Sequence, residues 1–161
     1  VDNAIMQPIY AGIYVRLILF ITENGICTRE SLLPMVLVQC EKHVQFLIHD
    51  KRTKIVCRGV GWFMAHLFIM QLIDFECISK TILALCHALE TASTPDVQEQ
   101  TSETITCIIL KIGEHFRATP EQQYNRWEGP VLATLQTLCD NDKLLMRVRV
   151  RMYDIKDALG L

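Results

Sequence analysis

Residues 59–73 read GVGWFMAHLFIMQLI, and the rest of the chain has to be built around this stretch. Placed on a helix, Val60, Phe63, Met64, Leu67, Phe68, Met70 and Ile73 spread around most of the circumference, leaving only His66 and Gln71 clearly polar. A helix apolar on nearly all sides is buried on nearly all sides. An uncharged run of about 15 residues is short of the roughly 20 that a membrane span needs. The stretch therefore predicts a central helix with other helices packed on both flanks.

The bulk numbers agree with such a core. A chain of 161 residues suits one domain, 1–161, and half of it (50%) is hydrophobic, so it folds. The net charge of −2 excludes a strong global attraction to nucleic acid, and any such contact must come from a local patch. The seven cysteines (Cys27, Cys40, Cys57, Cys77, Cys86, Cys107 and Cys139) form no CxxC pair and read as reduced thiols of an intracellular protein. No signal or transit peptide is visible, and the apolar run 9–21 is interrupted by Arg16. The expectation is a soluble, cytoplasmic protein with no membrane contact.

Working outward, Asp2 or Asn3 caps a first helix toward Ile21, with Pro8 kinking it or marking its true start. Its line is Tyr10, Ile13, Tyr14, Leu17 and Ile21, and Glu23-Asn24-Gly25 stops it. Thr28 opens a second helix with the line Leu33, Leu37, Cys40, Val44 and Leu47. Asp74 caps the helix after the central one, where Ile78, Ile82, Leu85 and Leu89 are in phase. Residues 91–102 (TASTPDVQEQTS) are the one polar stretch long enough for a loop, although Pro95 equally begins a helix. Ile105 to Phe116 mark a fifth helix, and Thr119-Pro120-Glu121-Gln122 starts a sixth that carries Trp127, Val131, Leu135 and Leu138. A last helix runs from about residue 143 to 159.

About seven helices with short connectors and no convincing strand predict an all-α fold. Its form is an α-α superhelix of stacked antiparallel helical hairpins (a HEAT-type solenoid) or a compact bundle. No residue-level repeat is evident, so the solenoid reading rests on helix rhythm.

The last helix carries two apolar lines. Leu145, Val148, Met152, Ile155 and Leu159 share one narrow sector and should face the core. Met146, Val150 and Tyr153 fall on the opposite side, bordered by Arg149 on one flank and by Arg147 and Asp154 on the other. An apolar line edged with arginines and turned away from the core has the composition of a partner-binding face. Two plainer readings stand beside it: residues beyond 161 cover the line, or Arg151 and Asp154 merely pair at i,i+3.

The run RVRVRMYDI at 147–155 resembles the Arg-Ile-Arg-Phe-x-x-x-Asp-Val signature that closes the middle domain of eukaryotic translation initiation factor 4G. Gly59, Phe63, Leu67 and Phe68 are similar to that family's Gly-x-x-x-Phe-x-x-x-Leu-Phe helix, and Ile112-Gly113 stands in register with its Leu-Leu-x-x-Ile-Gly segment. The resemblance covers most of the chain and implies a HEAT-type, non-enzymatic scaffold of translation initiation. It implies binding and activation of a DEAD-box RNA helicase of the initiation factor 4A type, contact with RNA, and a cap-binding protein engaged through regions outside this chain. The implied helicase contact is Met146, Arg147, Arg149, Val150, Tyr153 and Asp154. Three departures stand out: Val150 replaces the family's phenylalanine, Ala65-His66 replaces its Gly-Glu, and the first helix pair of the complete domain has no counterpart here. The alternative is a related middle domain serving as a protein scaffold in RNA processing or mRNA decay without helicase binding.

Lys51, Arg52, Lys54 and Arg58 form the densest positive cluster, a candidate contact for RNA phosphates. No aromatic residue interleaves it, so a solvated connector is the simpler reading. Cys40 with His43, and Cys86 with His87, invite comparison with zinc or nucleophile chemistry, but neither pair has an evident companion ligand or orienting group. Tyr10, Tyr14 and Trp62 are read as core. No phosphate-binding glycine loop or supported carboxylate pair is present, so neither cofactor nor metal is expected.

Overall fold

In the computed structural model, which describes residues 1–50, 52–117 and 129–159 with the side chains of 116 and 117 excepted, the central stretch occupies α4 (Lys54–Ile69). Around it lie α1 (Asp2–Met6), a 3-10 turn (Pro8–Tyr10), α2 (Ala11–Glu23) and α3 (Arg29–His49). They are followed by α5 (Phe75–Thr91), α6 (Pro95–Arg117), α7 (Pro130–Cys139) and α8 (Met146–Leu159). Among the described residues there is no strand.

The helices stack in two rows. α2, α4, α6 and α8 pack successively along one row, and α3, α5 and α7 along the other. Each helix thus touches the helix two places on in the chain, the pattern of a solenoid of hairpins. The most extensive contact is α4 against α6.

α4 is enclosed because its sequence lets neighbours approach from two sides. A Cβ at Gly59 would lie 1.9 Å from the Ile5 carbonyl oxygen of α1, and one at Gly61 would lie 2.6 Å from Cys107 Cβ of α6. Two residues apart on a helix are about 200° apart, so these glycines admit backbone to nearly opposite faces. Between the contacts, Val60, Phe63, Met64, Leu67 and Phe68 are buried.

The helix ends earlier than its apolar run. Gln71 takes a left-handed conformation (φ 57°), its N–H donates to Phe68 O (2.9 Å), and Leu72 N–H donates to Leu67 O (2.9 Å). This is a Schellman stop without its usual glycine. Arg29 holds it from outside, donating to the carbonyls of Gln71 and Leu72. The same motif closes α2, there with Gly25 (φ 67°) and Ile26 N–H on Ile21 O at 3.1 Å.

Three further boundaries differ from expectation. The first helix is divided at Pro8 into α1, the 3-10 turn and α2, and Ala11 and Val15 face inward while Ile13 and Leu17 are exposed. Pro95 begins α6, which absorbs both the polar stretch and the expected fifth helix. The end of that stretch and the two residues after it, 100–104, are helical and buried because their polar atoms are satisfied. The hydroxyls of Thr101, Ser102 and Thr104 donate to the carbonyls of Val97, Glu99 and Gln100 in their own helix at 2.6, 3.0 and 2.9 Å. The Gln100 amide donates to Leu47 O and Asp50 O, both at 3.0 Å, closing the C-terminus of α3. Finally, α8 starts at Met146, after a turn in which Leu144 is buried. The expected sixth-helix start at 119–122 and Trp127 lie outside the described residues, and what is described of that helix is α7, with Val131, Leu135 and Leu138 in the core.

Candidate partner-binding site

α8 packs on α6 and α7, and its two apolar lines separate as their spacing requires. Val148, Met152 and Ile155 are completely buried, with Leu145 and Leu159 half-buried beside them. On the far side Met146 is 74% exposed, Val150 52% and Tyr153 45%. The outer line is therefore a ridge of three large side chains facing water on a helix anchored by its other face.

The anchoring is polar as well as apolar. Arg151 pairs with Glu103 of α6 (2.7 Å) and also donates to Ser102 Oγ (3.1 Å) and Glu99 O (3.4 Å). Arg147 pairs with Glu99, and the Leu145 N–H donates to Gln98 Oε1 at 3.1 Å. From α7, the Cys139 thiol donates to Met152 O at 3.3 Å. Glu103 is the hub, since its other oxygen accepts from Arg58 Nε of α4 at 2.7 Å. One nearly buried carboxylate thus ties α4, α6 and α8 together.

This geometry redistributes the expected roles. Arg151 pairs across to α6 and not with Asp154 along its own helix. Arg147 borders the ridge, but its guanidinium is held by Glu99 while much of the side chain stays exposed. Arg149 has a buried Nε with no hydrogen-bond partner among the described residues. Tyr153 and Asp154 face solvent next to Val150. Met146, Val150, Tyr153 and Asp154 are the free components of the face, and the arginines are partly committed to holding it.

The basic cluster is dispersed by its neighbours. Lys51 lies outside the described residues. Arg52 sits 4.8 Å over the Phe46 ring and 3.6 Å from Asp50, so an aromatic from the preceding helix accompanies the cluster although none interleaves it. Arg58 is paired with Glu103, and Lys54 is exposed. Arg52, Lys54 and Arg151 line a cleft of about 170 Å³ opposite Asp96, Glu99 and Glu103, which cancel much of its positive field.

The Cys and His pairs are also separated. His43 turns from Cys40 to Asp2 (2.8 Å), whose carboxyl it holds below the usual range. Burial pushes the thiols of Cys40, Cys86 and Cys107 up to about 12 and that of Cys57 to about 11, which leaves them protonated and poorly nucleophilic at neutral pH. No three His, Cys, Asp or Glu side chains converge as metal ligands among the described residues, and no described helix is long and apolar enough to cross a membrane.

One surface escaped the sequence reading. Ile9 (84% exposed) and Tyr10 of the 3-10 turn, with Ile13, Leu17 and Phe20 of α2, form an exposed apolar stripe. The signal lay in the small residues: Ala11 is buried, and the His66 ring packs at 3.1 Å from where a Cβ on Gly12 would lie, so this side of the helix approaches α4. No protein-family model, curated protein or solved structure matches the chain.

Proposed function

We propose that the chain is a non-enzymatic scaffold of the initiation factor 4G middle-domain type. In this reading it acts in cytoplasmic translation initiation by binding a DEAD-box RNA helicase of the initiation factor 4A type through the outer face of α8. The observation that supports it most is the ridge of Met146, Val150 and Tyr153, exposed on a helix whose inner face is fully engaged. A scaffold that binds one helicase conformer better than another raises the population of that conformer, and this is the mechanism of activation. RNA is a weak second partner through Arg52 and Lys54, because nearby carboxylates offset the cluster.

Val150→Asp combined with Met146→Asp tests the reading. Both side chains project into solvent, so the far-UV circular dichroism and melting temperature should stay within experimental scatter of the parent. Helicase capture and stimulation of its ATPase should fall roughly tenfold or more, the effect of charging the centre of an apolar contact. Unchanged capture by the folded double variant removes the assignment. Acidic substitutions at Arg147 and Arg149 are less informative, since an acidic side chain at 147 would face Glu99 and disturb the anchoring itself.

A second reading, a related middle domain acting in RNA processing or decay, is favoured by the small Val150 and by the commitment of Arg147 to Glu99. Whether a DEAD-box helicase co-purifies with the chain separates the two.

A further inference from the structure

The outward side of α2 and of the turn before it is apolar apart from Arg16 at one edge. Ile9, Tyr10, Ile13, Leu17 and Phe20 are between 50% and 84% exposed, and the half-exposed Tyr14 and Ile21 continue the surface on the other edge. α2 cannot turn this side inward. Ala11 and Val15 are completely buried opposite it, and the His66 ring fills the space beside Gly12. Taking about 200 Å² for a fully exposed large apolar side chain, the five expose on the order of 600 Å², the upper end of what a monomer shows as one patch.

The order of these side chains is its own reverse. Tyr10, Ile13, Leu17 and Phe20 follow one another at intervals of three, four and three residues, aromatic at both ends and aliphatic in the middle. Turned end for end, the line presents the same spacing and the same classes of side chain. Across a two-fold axis, Tyr10 of one copy meets Phe20 of the other and Ile13 meets Leu17, each contact occurring twice, as an isologous interface requires. Alternating intervals of three and four keep the line turned toward one partner helix along its length. Arg16 stands at the edge, where its long stem lets the guanidinium reach water beside the contact. Two such faces bury about 1,200 Å² from these residues alone, above the roughly 1,000 Å² that a specific interface needs.

We propose that two copies of this chain associate through α2, packed antiparallel about a two-fold axis at the level of Val15. The aromatic ends supply much of the area, and the central aliphatic pairs hold the register. A slip of two turns would set Ile13 against the polar Asn24 and strip Tyr10 of its partner, so the pattern specifies one alignment. α4 and α6 lie between α2 and α8 in their row, and each copy keeps its α8 ridge free. The association does not rest on the reading of that ridge.

The test is sedimentation equilibrium of the full chain across the micromolar range, where monomer and dimer should both be present. Ile13→Asp and Leu17→Lys should each weaken association roughly tenfold or more. Both side chains are exposed, so the far-UV circular dichroism of each variant should match the parent. An equimolar mixture of the two variants should recover the dimer. The carboxylate at 13 of one copy then faces the ammonium at 17 of the other, and the second Ile13–Leu17 pair is intact. Parallel packing would set 13 against 13 and give no recovery. Met146→Asp with Val150→Asp should leave the dimer unchanged. A dimer that survives both single variants, a dimer lost with the α8 variant, or a mixture that stays monomeric overturns the proposal. A monomeric parent overturns it too, and flotation of that monomer with phosphatidylcholine vesicles would identify a lipid surface as the occupant instead.

Discussion

Gly61→Val is expected to lower the stability of the whole chain sharply, whereas Gly59→Ala is expected to release only its first helix. A Cβ at 61 meets Cys107 Cβ at 2.6 Å and the Thr104 carbonyl oxygen at 2.9 Å, both on α6. α6 cannot retreat, because it packs on α4 over its main contact and carries α8 on its other side. Overpacking a well-filled interior costs about 1–3 kcal/mol, with more where backbone must move. A branched side chain at this crossing therefore removes a large part of the roughly 5–15 kcal/mol that keeps a domain folded. The Cβ at 59 is closer still, 1.9 Å from Ile5 O, but α1 is only five residues long and has just Ala4 and Ile5 buried. It can leave alone, taking the burial of Ala4 and Ile5 with it. The check is a melt followed by circular dichroism, joined to amide exchange over residues 2–6. Cooperative melting of Gly61→Val near the parent temperature, or full protection of residues 2–6 in Gly59→Ala, contradicts the packing described.

Glu103→Leu should have the second-largest effect, destabilising the fold by about 3 kcal/mol. Removing one member of a buried ion pair leaves the other uncompensated, which costs about 3–5 kcal/mol. The lower figure applies because Arg58 is half-exposed and water screens it, while Arg151 is only 19% exposed at its side chain. Adding Arg151→Met should recover part of the loss, since the orphaned charge goes with it. Amide exchange should rise along residues 146–159 before it rises in α4, because α8 depends on that carboxylate while α4 also packs against α1, α2, α3 and α5. A Glu103→Leu variant as stable as the parent, or no recovery in the double variant, shows that the hub contributes little.

The enclosure of α4 was legible in the sequence because apolar residues around a whole helix have one physical meaning. So was the division of α8 into inner and outer lines, since Val148, Met152 and Ile155 differ from Met146, Val150 and Tyr153 by half a turn. The caps at Thr28 and Asp74 were read from side chains that accept from Ser31 N (3.3 Å) and Cys77 N (2.8 Å). What could not be read was set by tertiary structure. Gln71 closes α4 in a conformation that glycine usually supplies, held there by an arginine 42 residues away. Residues 91–102 look like a loop in composition, yet 95–102 are helical and 100–104 are buried because Gln100 and Glu103 satisfy groups on α3, α4 and α8. The partners of Arg147 and Arg151 lie 48 residues upstream on a different helix, so the sequence showed arginines beside a ridge without showing that they were already engaged.

Arg147 and Arg151 hold α8 against α6, whereas Arg149 makes no such pair among the described residues. Any partner that docks on α8 meets an apolar ridge with Asp154 at its edge.

Amide exchange of the chain with and without an excess of an initiation factor 4A-type helicase tests this most directly. Protection should appear over residues 146–154, with the outer face of α2 at 9–20 unchanged. Protection confined to 9–20, or none on α8 in a complex that demonstrably forms, would show that the ridge is not where the partner sits.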